Sequence, residues 1–147
     1  YAGVSTDLGG MSLDLGTTYY YYPGATGSNT LEFGAALGTS VGAFDVSLGV
    51  YHDIDTENTY VELGAGTSFD LTDNISLDLG ATIGNNQDEV VGGQADGLTA
   101  VTITVGAPIG LTDNASLTPY LGINAGLDDN QDAGDEIFSG ISLSVGF

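Results

Sequence analysis

The sequence contains no lysine and no arginine, so its formal charge comes from acidic residues alone. Twenty aspartate and glutamate residues give a net charge of −20 over 147 residues. Nucleic acid is excluded as a partner because phosphate binding needs a basic surface, and anionic lipid head groups are repelled for the same reason. A chain this acidic stays compact only if its charges are spread apart, screened by salt or bridged by bound cations.

Other absences narrow the class of protein further. The chain has no cysteine, which fits a cell-envelope or secreted protein that needs no disulfides. It has no run of about 18 apolar residues, so no membrane-spanning helix is expected. No stretch has a sustained period of 3.6 residues, which argues against a helical fold. Because the sequence begins at Tyr1 without methionine or a signal segment, we interpret it as a processed or trimmed product.

Alternation of apolar and polar residues extends over most of the chain. It predicts nine strands, at residues 1–8, 11–22, 30–40, 44–52, 59–71, 75–85, 98–111, 115–127 and 137–147. Tight turns at 9–10, 41–43, 72–74 and 112–114 alternate with longer connections at 23–29, 53–58, 86–97 and 128–136. The sequence LTDN occurs in two of the turns and indicates a duplicated hairpin. We therefore expect a single all-β domain over 1–147, an antiparallel up-and-down meander closing into a β-barrel of about 8–10 strands.

The two faces of the predicted strands differ in composition. One face is apolar, with residues such as Leu31, Phe33, Ala35, Leu37, Val61, Leu63, Leu77, Leu79, Ile103 and Val105. The other face is glycine, serine and threonine with six acids, which are Asp14, Glu32, Asp45, Glu62, Asp70 and Asp78. Two orientations are open. The apolar face meets lipid around a wet lumen, or it forms the core of a soluble barrel or sandwich. Eleven tilted residues rise roughly 28 Å, which matches the apolar thickness of a bilayer.

Several segments resemble bacterial outer-membrane β-barrel proteins. The last segment, Ile137 to Phe147, alternates and ends on phenylalanine, which is similar to the C-terminal signature of that class. Residues 17–25 (TTYYYYPGA), 29–38 and 44–53 resemble an uncharacterised proteobacterial family of barrel type with a YYPGA turn. The resemblance implies a non-enzymatic barrel, structural or passive and pore-like, in contact with outer-membrane lipid. It also implies an additional N-terminal segment before Tyr1.

The sequence departs from that pattern in two respects. Nine strands is an odd number, whereas antiparallel barrels close simply with an even one. Small outer-membrane barrels usually fill the lumen with ion pairs, but here the six acids on the polar face have no basic partner. Unpaired carboxylates in a confined space cost several kcal/mol each unless water or metal ions relieve them.

The long connections carry candidate calcium ligands. Carboxylate oxygens are the hard ligands that Ca²⁺ prefers, and the candidates are Asp53, Asp55, Glu57, Asp128, Asp129, Asp132 and Asp135. The stretch DIDTEN at 53–58 does not complete an EF-hand, because its sixth position is Asn58 and its twelfth is Gly64. The alternative is that these acids are simply solvated. No other cofactor is expected.

No catalytic site is predicted. Residues 38–42 match the G-x-S-x-G pattern of serine hydrolases, but that motif needs a strand-to-helix elbow and here falls at a hairpin. Two hypotheses of function follow. The first is a structural or passive pore-like barrel in a bacterial outer membrane. The alternative is a secreted acidic β-protein at the cell surface, which assembles with copies of itself into a layer or filament with bound calcium.

Overall fold

The chain folds into a single antiparallel sheet. The computed structural model describes residues 1–23, 29–87, 96–127 and 135–146. Within these ranges the strands are β1 (Ala2–Asp7), β2 (Met11–Tyr20), β3 (Thr30–Val41), β4 (Phe44–Asp53), β5 (Thr59–Thr72), β6 (Ile75–Asn86), β7 (Gly97–Gly106), β8 (Ile109–Thr112), β9 (Ala115–Gly126) and β10 (Glu136–Val145). Neighbours along the chain pair with each other from β1 to β7, followed by β9 and β10. The prediction of an all-β up-and-down meander is confirmed.

The predicted strand at 98–111 is interrupted in the structure. β7 ends at Gly106 and β8 begins at Ile109, and both pair with β6 and β9. Pro108 has no N–H to donate to the ladder, but its carbonyl oxygen accepts a hydrogen bond from the Ser76 N–H at 3.1 Å. β7 and β8 therefore make one pass across the sheet, and the described residues make nine passes in all.

The observed sheet does not close into a barrel. Its order runs from β1 to β10 without a pairing between those two strands, and the closed part is a partial ring of β6, β7, β9 and β8. In an antiparallel meander of nine passes the first and last strands run in the same direction. An antiparallel ladder therefore cannot join β1 directly to β10.

The tight turns have the chemistry that the sequence predicts. Gly9, Gly10 and Gly42 have φ angles of 83°, 99° and 66°, a region that glycine enters without steric cost. The duplicated hairpin is also observed. In both copies the threonine hydroxyl donates to the asparagine side-chain oxygen at 3.1 Å, from Thr72 to Asn74 and from Thr112 to Asn114. Each of the two turns follows a shift in strand register.

The polar face of the sheet is the less exposed one. Side chains directly opposite each other in a ladder point to the same side, and the register places all six strand acids named above on one face, here called the polar face. Gly64, Gly84 and Gly122 on this face are buried, whereas Leu63 and Ile103 on the apolar face are 55% and 54% exposed. No large apolar side chain among the described residues is buried. The sheet therefore curves around its polar face.

Candidate functional site

The curved polar face borders an open cavity of about 600 Å³. Hydroxyl and glycine residues from six consecutive strands border it, including Ser12, Gly38, Ser40, Ser47, Gly64, Gly66, Gly80, Thr82, Thr102 and Thr104. Glycine permits these strands to approach closely. A Cβ on Gly80 would lie 2.7 Å from the Thr104 hydroxyl oxygen, and one on Gly64 would lie 2.5 Å from the Ser47 hydroxyl oxygen. Met11, Val46, Ala65 and Ala81 also border the cavity, and its charged residues, Asp7 and Asp45, are both acidic.

Three of the six acids on the polar face accept hydrogen bonds from serine hydroxyls on neighbouring strands. Ser40 donates to Asp45 at 2.5 Å and Ser68 donates to Asp78 at 2.6 Å. Ser5 donates to Asp14 in the same way. In each pair the two residues are directly opposite in the ladder. Hydroxyl donors therefore replace the basic partners that the chain lacks, although they leave its negative charge in place.

Tyrosine hydroxyls donate hydrogen bonds to the two glutamates of the polar face. Tyr60 donates to Glu62 at 3.2 Å, and Tyr20 donates to Glu32 at 3.4 Å. The Tyr51 and Tyr60 rings are neighbours, with centroids 6.1 Å apart and planes inclined by 35°. Tyr20 and Tyr60 therefore hydrogen-bond to acids of this face, and the Tyr51 ring lies beside that of Tyr60.

The last residue of β4 and the connection to β5 hold three of the candidate calcium ligands, which are Asp53, Asp55 and Glu57. One carboxylate oxygen of Asp53 accepts hydrogen bonds from the backbone N–H groups of Asp55 and Thr56, both at 2.9 Å. Burial raises the pKa of the Asp53 carboxyl, but hydrogen bonds from Thr30, Thr56 and Asp55 outweigh it and hold the pKa below its ordinary value. The Asp55 carboxylate accepts from the Leu31 N–H at 2.8 Å. These two acids are thus used to fix the backbone of the connection.

The structure does not bring the predicted calcium ligands together within its described ranges. No group of three or more histidine, cysteine, aspartate or glutamate side chains in those ranges is arranged to hold a metal ion. Glu57 has a φ of 58°, and the side-chain oxygen of Asn58 is a buried acceptor without a described partner. Asp135 directly precedes β10. Asp128, Asp129 and Asp132 lie outside the described residues, so the calcium site stays a prediction.

The G-x-S-x-G motif has a structural role in the hairpin. Ser40 donates to Asp45, and His52 contacts the Thr59 hydroxyl at 3.0 Å. Ser40 and Asp45 are on the polar face, while His52 lies opposite Phe33 in the ladder and therefore on the apolar face. A serine hydrolase needs a histidine beside its serine. Ser40 and His52, the one histidine of the sequence, point to opposite sides of the sheet.

Sequence reasoning missed the hydroxyl partners of the acids. The signal was present for one pair, because Ser40 and Asp45 flank a two-residue turn symmetrically. Ser68 and Asp78 are offset by one residue about the β5–β6 turn, because the register shifts between Asp70 and Thr72. Residues at equal distances from a hairpin turn become opposite neighbours.

The described part of the chain contains no helix that could cross a membrane. No protein-family model and no curated protein matches this chain.

Proposed function

We propose that this chain is a non-enzymatic membrane protein of outer-membrane β-barrel type, whose polar face lines a passive, water-filled pore. The observation that carries the proposal is the orientation of the sheet: the acids and hydroxyls face inward and the apolar side chains face outward. The resemblance of the last segment to the C-terminal signature of outer-membrane barrels favours a bacterial outer membrane as its location.

The exposed apolar face is difficult to reconcile with water as its surroundings. Burying one large apolar side chain contributes about 1.5–3 kcal/mol, and water-soluble monomers rarely expose contiguous apolar patches above a few hundred Å². Here Leu63, Ile103 and Leu121 are each at least half exposed. They are on the same side of neighbouring ladders as Leu48, Ile83 and Val105. A bilayer would supply the apolar surroundings that the sheet itself does not.

The strand lengths favour the same surroundings. β3, β6 and β9 each contain 12 residues and β5 contains 14. At about 3.3 Å per residue and a tilt near 40°, twelve residues rise roughly 30 Å, sufficient for the apolar band of an outer-membrane barrel. Strands of globular proteins are usually about five or six residues long.

A closed pore requires partners for the outer edges of β1 and β10. One further antiparallel strand between them would make the number of passes even and give both edges an antiparallel neighbour. The proposal therefore includes completion of the sheet by an additional strand.

The unpaired edges also favour a second candidate, a secreted acidic β-protein that assembles with copies of itself. β10 pairs with β9 over ten consecutive residues without a register shift. It contains no proline, and its only charged residue is Glu136. Bulges, prolines and charges are the features that usually protect a sheet edge from strand addition. Assembly through such edges would suit a surface layer or filament with bound calcium.

Vesicle insertion distinguishes the two candidates. Protein refolded in detergent is diluted into phosphatidylcholine vesicles, which carry no net charge to repel it, and the vesicles are then floated through a density gradient. The pore proposal expects the protein to float with the vesicles, to resist extraction at high pH and to conduct cations in preference to anions. Protein that stays in the detergent-free aqueous fraction as a folded monomer contradicts the membrane proposal. Growth into long assemblies there supports the second candidate.

A further inference from the structure

The Tyr51 ring lies flat on the polar face of the sheet. A Cβ on Gly34 would lie 2.6 Å from Tyr51 Cδ1, and a Cβ on Gly49 would lie 2.7 Å from Tyr51 Cε2. Because Cδ1 and Cε2 are on opposite edges of the ring, the ring extends across both glycines. One ring face packs against the backbone of β3 and β4, and the other faces away from the sheet.

Tyr60 extends this aromatic surface onto the next strand. It is directly opposite Tyr51 in the ladder, with ring centroids 6.1 Å apart. A Cβ on Gly84 would lie 2.5 Å from Tyr60 Cε2, so this ring too occupies the place that a glycine leaves open. Aromatic rings commonly cover strand glycines in this way, but that packing does not account for the charged group beside them.

The Glu62 carboxylate adjoins both rings. It accepts a hydrogen bond from the Tyr60 hydroxyl at 3.2 Å, and Glu62 is directly opposite Gly49, one of the two glycines that the Tyr51 ring covers. A carboxylate can accept several hydrogen bonds, and one hydroxyl does not neutralise its charge. With no lysine or arginine in the sequence, a neutralising cation here has to come from outside the side chains of this protein.

We propose that the rings of Tyr51 and Tyr60, together with the Glu62 carboxylate, bind an organic ammonium ion. A cation about 5 Å above the midpoint of the ring pair would be within the roughly 6 Å of both centroids at which a ring attracts a cation. A metal ion instead requires several oxygen ligands around it, and no acidic group of that kind is found in the described ranges. An ammonium ion requires only the aromatic faces and one carboxylate.

The inference concerns the same face that is proposed to line the pore, but it does not depend on conduction. Binding is measured on the full chain in detergent micelles, by the ring-proton chemical shifts of the tyrosines during titration with tetramethylammonium chloride. Sodium chloride of matched ionic strength and the neutral near-isostere tert-butanol are the controls. We expect saturable shifts at Tyr51 and Tyr60 with tetramethylammonium alone. Equal shifts with sodium chloride or tert-butanol overturn the proposal, whereas a failure of vesicle insertion leaves this result unaffected.

Variants separate the aromatic and charged contributions. Tyr51→Leu and Glu62→Gln should each weaken tetramethylammonium binding about fivefold or more, and Tyr51→Phe should retain it within about twofold. Tyr120→Leu is the matched control, because Tyr120 also lies on a glycine of the polar face but contacts Phe138, with centroids 6.4 Å apart. It should leave binding unchanged. Glu62→Gln keeps the size of the side chain, so it decides the question if Tyr51→Leu does not fold. Wild-type affinity in Glu62→Gln overturns the proposal.

Discussion

Arginine in place of Ile103 should distinguish a lipid-facing position from a water-facing one. Ile103 lies in the middle of the β7–β8 pass and is 54% exposed on the apolar face. The residues directly opposite it are Ala81 and Ile123, so a guanidinium at this position has no acidic partner beside it. At the midplane of a bilayer such a substitution costs about 2–4 kcal/mol, or about thirtyfold to several hundredfold in the unfolding equilibrium. At an exposed position in water, substitutions usually change stability by no more than about 0.5 kcal/mol.

The assay is urea unfolding of protein inserted in phosphatidylcholine vesicles, followed by circular dichroism. Thr104→Arg is the matched control, because Thr104 is the next residue in the chain and borders the cavity. Thr104 is opposite Gly80 in the ladder, with Asp78 as a diagonal neighbour on the polar face. This substitution should be close to neutral or stabilising. The membrane proposal would be refuted if Ile103→Arg changed the free energy of unfolding by less than about 0.5 kcal/mol, or if Thr104→Arg were the more destabilising variant.

Three further predictions concern the acids. Ser68→Ala removes the donor to Asp78 at 2.6 Å and should lower the free energy of unfolding by about 0.5–1.5 kcal/mol. In the Asp78→Asn background, Ser68→Ala should lower the free energy of unfolding by a smaller amount. A double-mutant cycle measures this difference. Asp53→Asn should lower the melting temperature at pH 7. Because the Asp53 pKa is depressed in the fold, its contribution is present above the ordinary aspartate pKa and is lost as pH falls through the depressed value. The difference in melting temperature between Asp53→Asn and wild type should therefore shrink as the pH is lowered through that range. Calcium binding by the loop acids predicts that millimolar Ca²⁺ raises the melting temperature above its value in chelator by more than sodium chloride of matched ionic strength does. Equal effects of the two salts would mean that the charges of the loop acids are only screened.

Much of the fold could be predicted from the sequence because alternation and turn chemistry are local signals. The turns at Gly9-Gly10 and at Gly42 need positive φ, and the two LTDN turns repeat one hydrogen-bond pattern, so the order of the strands follows from them. The break at Pro108 was foreseeable in principle, because proline cannot donate to a ladder. The closure of the sheet was not predictable in this way, because it depends on which strand meets the edges of β1 and β10 and not on any local pattern.

The polar face could be predicted in composition but not in its contacts. The periodicity of two assigned Asp45 and Asp78 to one side of the sheet, whereas their serine partners depend on the register across each hairpin. Flat packing of Tyr51 on Gly34 and Gly49 likewise requires knowledge of which glycine lies opposite which ring. Composition alone also left open which face is inside, because an alternating pattern is compatible with either face pointing inward. The exposed fractions of the two faces provide that distinction.

In the proposed membrane orientation the apolar face meets lipid and the polar face meets water. Ala81 and Thr82 are neighbours in the middle of β6. The register places Ala81 on the apolar face, opposite Ala65 and Ile103, and Thr82 on the polar face, opposite Gly64 and Thr102. Since the chain has no cysteine, Ala81→Cys and Thr82→Cys each accept a single fluorophore with little change in side-chain size. In vesicles we expect lipids brominated in their acyl chains to quench the label at position 81, and acrylamide, a neutral quencher that the acids do not repel, to quench the label at position 82. Quenching of the label at position 82 by the brominated lipid, or of both labels by acrylamide alone, would contradict the membrane orientation.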